Sequence, residues 1–110
     1  MQSSQLLKGT FQTIILNTLA QEGRMYGYEI TQKVKAMSND EIVVTEGSLY
    51  PILHKLEEQG WVMADRVSIG NRTRRYYELT KSGMAEVQQK VDEFERFVTI
   101  VRQVLYGATT

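Results

Sequence analysis

Apolar residues recur along this chain at helical spacing in four places and at strand-like spacing near the middle. Over residues 5–20, Leu7, Phe11, Ile14, Ile15, Thr18 and Leu19 share one helical face. QEGRMYG interrupts that pattern, with Gly23 and Gly27 as breakers. A shorter helix is expected over 28–38, where Ile30, Val34 and Met37 are four and three residues apart. SNDE ends it, and the β-branched IVV at 42–44 predicts a brief extended piece.

The stretch TEGSLYPILHKLEEQGWV, residues 45–62, predicts the third helix. Leu49, Ile52, Leu53 and Leu56 fall near one face, and Gly60 marks the stop. Pro51 limits how this helix begins, because a proline deep in a helix loses a hydrogen bond and crowds the preceding turn. Either Ser48 caps it, with Pro51 in the first turn, or Thr45 caps it and the first turn is bent. A start near 46 is favoured.

WVMADRVS and TRRYYELT then read as two strands around the turn IGNR, in which Gly70–Asn71 tolerates positive φ. Thr80 caps a last helix over about 81–106. In it Met84, Val87, Val91, Phe94, Val98, Val101 and Leu105 are separated by 3, 4, 3, 4, 3 and 4 residues, a strict heptad stripe. Phe97, Ile100 and Val104 widen the apolar face towards its end. Such stripes are usually core. A small body of three helices and a hairpin has little surface left to cover so long a helix, so a homodimer contact through Val87, Val91, Phe94, Val98, Val101 and Leu105 is expected.

The expected class is therefore mainly α with a small β-hairpin. Residues 1–80 form a winged helix-turn-helix DNA-binding domain, and residues 81–110 form a C-terminal dimerisation helix. In that architecture the third helix enters a DNA major groove and the hairpin lies beside it.

The chain has 110 residues, 42% of them hydrophobic, which suits one domain and one appended element. It has no cysteine, so no disulfide framework or thiolate zinc site is expected, which is compatible with the cytoplasm. No apolar run approaches the ~18 residues of a membrane span, and MQSSQLLKGT lacks the order of a signal peptide. Net charge is zero, which argues mildly against a nucleic-acid partner. The distribution argues the other way. RVSIGNRTRR holds Arg66, Arg72, Arg74 and Arg75 with no acid among them.

A helix that reads DNA buries one face and presents polar groups to bases and phosphates on the other. Leu49, Leu53 and Leu56 are the expected core, and Ser48, Tyr50, His54 and Lys55 the outward set. Thr45 and Gly47 stand at the helix start, where backbone amides are ready phosphate donors. Tyr50 reads equally as a contact to phosphate or thymine methyl and as a packing residue under the first turn. A lone His54 is a polar surface group or a base contact, and Lys55 is able to pair with Glu58 instead. Asn71 and Arg72 sit at the hairpin tip, where a wing meets the minor groove. Arg74 and Arg75 point to opposite faces, so only one faces DNA fully. Lys8 and Tyr28 are further candidates for backbone contact.

GYEI at 27–30, SLYPILHKLEEQGWV at 48–62 and RRYYELTKSG at 74–83 resemble the PadR family of bacterial transcriptional regulators. The resemblance covers nearly all of the chain, from LLKGTFQTIIL onward, and its length matches the short subfamily. It implies a homodimeric repressor of a nearby stress, detoxification or efflux gene, bound to an inverted-repeat operator of double-stranded DNA. It also favours Arg74 over Arg75 as the DNA-facing residue. Some short members bind flat aromatic drugs at the dimer interface, which implies a hydrophobic or aromatic small-molecule inducer near Ile15, Phe94 and Phe97. Where such members place a tryptophan this chain has Phe94, so a stacking indole is missing.

No enzyme is expected. GxSxG, a phosphate loop and a cysteine–histidine pair are absent, one histidine is too few for a usual metal site, and no cofactor is implied. The remaining alternative is a winged-helix ligand-sensing or protein-interaction module without specific DNA binding.

Overall fold

The computed structural model describes residues 9–107. In chain order these form α1 (Phe11–Glu22), β1 (Met25–Tyr26), α2 (Gly27–Met37), α3 (Glu46–Glu58), β2 (Val62–Ile69), β3 (Arg72–Leu79) and α4 (Lys81–Tyr106). The expected mainly α winged helix with a long last helix is what the chain adopts.

α1, α2 and α3 turn their apolar faces to one core. Ile15, Leu16 and Leu19 of α1 meet Ile30 and Val34 of α2, Leu49, Leu53 and Leu56 of α3, and Val62 and Tyr77 of the hairpin. Fully burying one such aliphatic side chain contributes about 1.5–3 kcal/mol, so this set fixes how α3 sits against the hairpin.

Three expectations change. A turn at Gly9–Thr10 interrupts the helix expected over 5–20, and α1 runs Phe11–Glu22; residues 5–8, Leu7 and Lys8 among them, lie outside the described residues. IVV at 42–44 pairs with no strand; Val44 is buried in the core as irregular chain while Val43 is exposed. The third strand is instead β1, inside the segment read as a break. Met25 pairs with Tyr77 and Tyr26 with Tyr76, giving the antiparallel order β1-β3-β2. A two-residue strand is set by its partner, so no local periodicity announces it.

Along α4, whose 26 residues span about 39 Å, the stripe divides. α1 packs against α4, and Val87, Val91, Val98 and Val101 are half-buried within the single chain. Phe94, Phe97, Ile100, Val104 and Leu105 remain exposed. The expected seam is thus partly intramolecular, and the open apolar surface has shifted towards the widened end.

Candidate nucleic-acid interface

α3 begins where Thr45 caps it. Thr45 Oγ1 accepts the Ser48 backbone N–H at 3.1 Å and donates to Ser48 Oγ at 3.0 Å. Thr45, not Ser48, is therefore the cap, and Pro51 lies inside the helix. Proline has no N–H for the carbonyl four residues back, so the Gly47 carbonyl lacks its usual helical donor at position 51. Leu49, Leu53 and Leu56 are fully buried, and Ser48, Tyr50, His54 and Lys55 are exposed. The predicted inward and outward sets stand as expected.

Tyr50 is partly packed, as the second of its two expected readings requires. Its ring is about one-third exposed, and its hydroxyl donates to Glu46 Oε1 at 3.3 Å. It also lies against the start of α2, where Gly27 carries no side chain to displace it. Partial burial, then the Glu46 carboxylate, raise its pKa above the usual tyrosine range. Lys55 forms no ion pair with Glu58 among the described residues.

At the wing tip Ile69 pairs with Arg72, leaving Gly70–Asn71 as a two-residue turn. Gly70 has φ +60° and Asn71 has negative φ. That excludes a type I′ turn, which needs positive φ at both positions, and fits type II′. Asn71 and Arg72 are exposed there.

Arg74 and Arg75 do face opposite ways. Arg74 places its guanidinium 4.0 Å over the Tyr26 ring, on the face where Tyr26 and Tyr76 meet edge to face at 5.5 Å. Arg24 covers Tyr76 at 4.9 Å and pairs with Asp65 at 3.0 Å. Arg75 turns towards α3, with Nη2 3.7 Å from Glu57. The basic run is therefore not free of acids once folded, because Glu57 arrives from α3.

Between α3 and β3 lies an open cleft of about 410 Å³, whose walls include Tyr50, His54, Arg72, Arg74, Arg75 and Tyr77. Arg75 Nε and the Tyr77 hydroxyl are buried beside it with no hydrogen-bond partner. Leaving such a group unpaired costs about 1–3 kcal/mol. Burial raises the Tyr77 pKa, Arg75 acts against that, and Glu57 adds to it. Sequence reasoning missed Glu57 and Tyr77 here, although Arg75 and Tyr77 stand two apart in a strand and so share a face.

The proposed small-molecule residues are not brought to one surface. Ile15 is fully buried in the core and has nothing to offer a ligand, whereas Phe94 and Phe97 are exposed on α4. Tyr28 is exposed on the first turn of α2. Among the described residues no cluster of histidine and carboxylate side chains forms a metal site, and no helix is long and apolar enough to cross a membrane.

Comparison with known proteins gives a consistent picture. The model of the Transcriptional regulator PadR-like family matches residues 15–89. A transcriptional regulator from Clostridium thermocellum is 30% identical, with a TM-score of 0.82 over 94% of this chain and 97% of that one. A transcriptional regulator of Mycobacterium tuberculosis is 31% identical over 88 residues, 80% of this chain and 77% of its own length. Bacillus subtilis PadR in complex with operator DNA is 27% identical, with a TM-score of 0.66 over 74% of this chain and 46% of that one.

Proposed function

The chain belongs to the PadR-like family of transcriptional regulators, and on that premise we propose that it is a homodimeric repressor that reads an inverted-repeat operator with α3 and the wing. The observation that carries this reading is the division of α3. Three leucines anchor it in the core while Ser48, Tyr50, His54 and Lys55 stand exposed, and Tyr50 and His54 share a cleft with the wing's Arg72, Arg74 and Arg75. Such a helix presents base-reading and phosphate-binding groups together. The wing tip, Asn71 and Arg72, adds backbone contact, and Thr45 and Gly47 bring the helix start close to a phosphate.

Dimerisation uses the exposed end of α4, around Phe94, Phe97, Ile100 and Val104. Two α3 helices then address half-sites about one helical turn apart. A hydrophobic or aromatic inducer lodged against Phe94 and Phe97 changes that spacing and releases the operator, so a neighbouring stress, detoxification or efflux gene is transcribed in the cytoplasm. Zero net charge favours one other reading, a winged helix used for ligand sensing or protein contact.

The test is solution mass together with binding to the DNA upstream of the protein's own gene at two salt concentrations. If a dimer neutralises about six phosphates, affinity falls roughly a thousandfold between 50 and 200 mM salt. Arg72→Ala combined with Arg74→Ala abolishes that binding with the fold intact. Undiminished affinity in the double variant refutes the role given to the wing.

A further inference from the structure

Arg75 Nε and the Tyr77 hydroxyl are two buried polar atoms without a partner in the protein, and both belong to the α3 side of β3. They stand at one cleft, walled on the other side by Tyr50 and His54. The backbone adds to their number. β1 pairs only with Tyr76 and Tyr77, so the edge of β3 from Arg72 to Arg75 has no strand beside it. Every second residue of that stretch turns its N–H and C=O to the open edge of the sheet.

The two carboxylates nearest these atoms already face partners. Glu57 takes Arg75 through Nη2, which leaves Nε over. Glu46 takes the Tyr50 hydroxyl. Across the hairpin Arg66 stands directly opposite Arg75, and like charges so placed repel unless an anion lies near them. The cleft therefore holds surplus donors and surplus positive charge. A group that satisfies it must be anionic and carry several acceptor oxygens, and arginine's fixed fork is suited to phosphate.

We propose that this cleft is a phosphate-binding site in which Arg75 Nε and the Tyr77 hydroxyl grip one phosphate group. The phosphate arrives either on the backbone of a bound duplex or as free phosphate or a phosphorylated small molecule. Only the first source rests on the operator-binding reading; a free phosphate in this place competes with the duplex for α3. Both gripping atoms are covered in the empty cleft, so the Arg75 side chain, 39% exposed, turns its Nε outward to admit the ligand.

The full chain, labelled with nitrogen-15, reports this through its arginine Nε–H signals. Inorganic phosphate is titrated against sodium chloride at matched ionic strength, and then the duplex from upstream of the gene is added. A saturable shift of the Arg75 signal with phosphate, weakened at least tenfold in Tyr77→Phe and accompanied by displacement of the duplex, identifies the free anion as ligand. A shift with the duplex alone identifies a backbone phosphate. In that case Arg75→Gln lowers the slope of log affinity against log salt by about two per dimer. If phosphate shifts the signal while no duplex binds, the site stands and the operator reading falls. An Arg75 signal that neither ligand moves, or that moves only together with every other arginine, overturns the proposal.

Discussion

The Tyr50 hydroxyl fills the space where a side chain at Gly27 would begin: a Cβ built on Gly27 stands 2.6 Å from it. Tyr50 can lie in this position over the start of α2 only because residue 27 has no side chain. Gly27→Ala must therefore displace something, and the far end of a partly exposed tyrosine yields more readily than two packed helices. The Ala substitution also recovers part of the ~0.5–1 kcal/mol that glycine costs a helix. Gly27→Ala is expected to melt within a few degrees of the parent while DNA affinity falls about tenfold. Thermal melting and fluorescence anisotropy with labelled duplex check the two halves of that statement.

Gly83 is a different case, because what a Cβ there would overlap is the Trp61 carbonyl, which is backbone. That contact lies in a tight junction. The Thr80 N–H donates to the Trp61 carbonyl at 3.0 Å, the Thr80 hydroxyl donates to the Gly60 carbonyl at 2.6 Å, and the Gly83 N–H donates to Thr80 Oγ1 at 3.0 Å. No side chain is free to swing aside. Gly83→Ala is expected to destabilise by about 3 kcal/mol, a fall in melting temperature of roughly 12 °C or more. An unchanged melting curve shows that the start of α4 can shift away from Trp61.

Where the signal lay in local chemistry, the sequence was readable. Leucines at 49, 53 and 56 define the inner face of α3 without knowledge of the rest, whereas its start is open between Thr45 and Ser48 until the fold makes Thr45 the cap. Gly70 between two β-rich runs likewise defines the wing. What escaped depends on a distant partner. β1 is a strand because Tyr76 and Tyr77 lie beside it, and Arg75 meets an acid because Glu57 comes from another element. The heptad stripe on α4 correctly marks an apolar face, but periodicity does not say which neighbour covers it, and α1 covers part.

That division makes the outer end of α4 the place to break a dimer without unfolding the chain. Phe97 is 64% exposed and Val104 79% exposed in the single chain, so a carboxylate at either position is hydrated in the monomer and buried unpaired in a dimer. Phe97→Glu with Val104→Glu is expected to give one chain mass in light scattering where the parent gives two, with helical circular dichroism unchanged. A double variant that stays dimeric assigns the contact to another surface.

Alkaline pH tests the buried phenol at Tyr77. Its folded pKa is raised, chiefly by burial, above the value of about 10 that it takes in an unfolded chain. Between those two values the unfolded chain has lost the phenolic proton and the folded chain has kept it. The folded state then binds more protons, so stability declines as pH rises. The contribution is complete below about pH 10 and is lost as pH climbs through the folded pKa. Tyr50, also raised, acts in the same direction with its hydroxyl on Glu46. Tyr77→Phe removes the titrating group together with an unpaired buried hydroxyl, and deleting such a group at constant shape is neutral or stabilising. The variant is therefore expected to melt at or slightly above the parent at pH 7 and to lose less stability above about pH 10. Melts across that range at one protein concentration, beside the 295 nm absorbance of tyrosinate, measure both. If parent and variant lose stability in parallel, Tyr77 does not keep its proton in the fold.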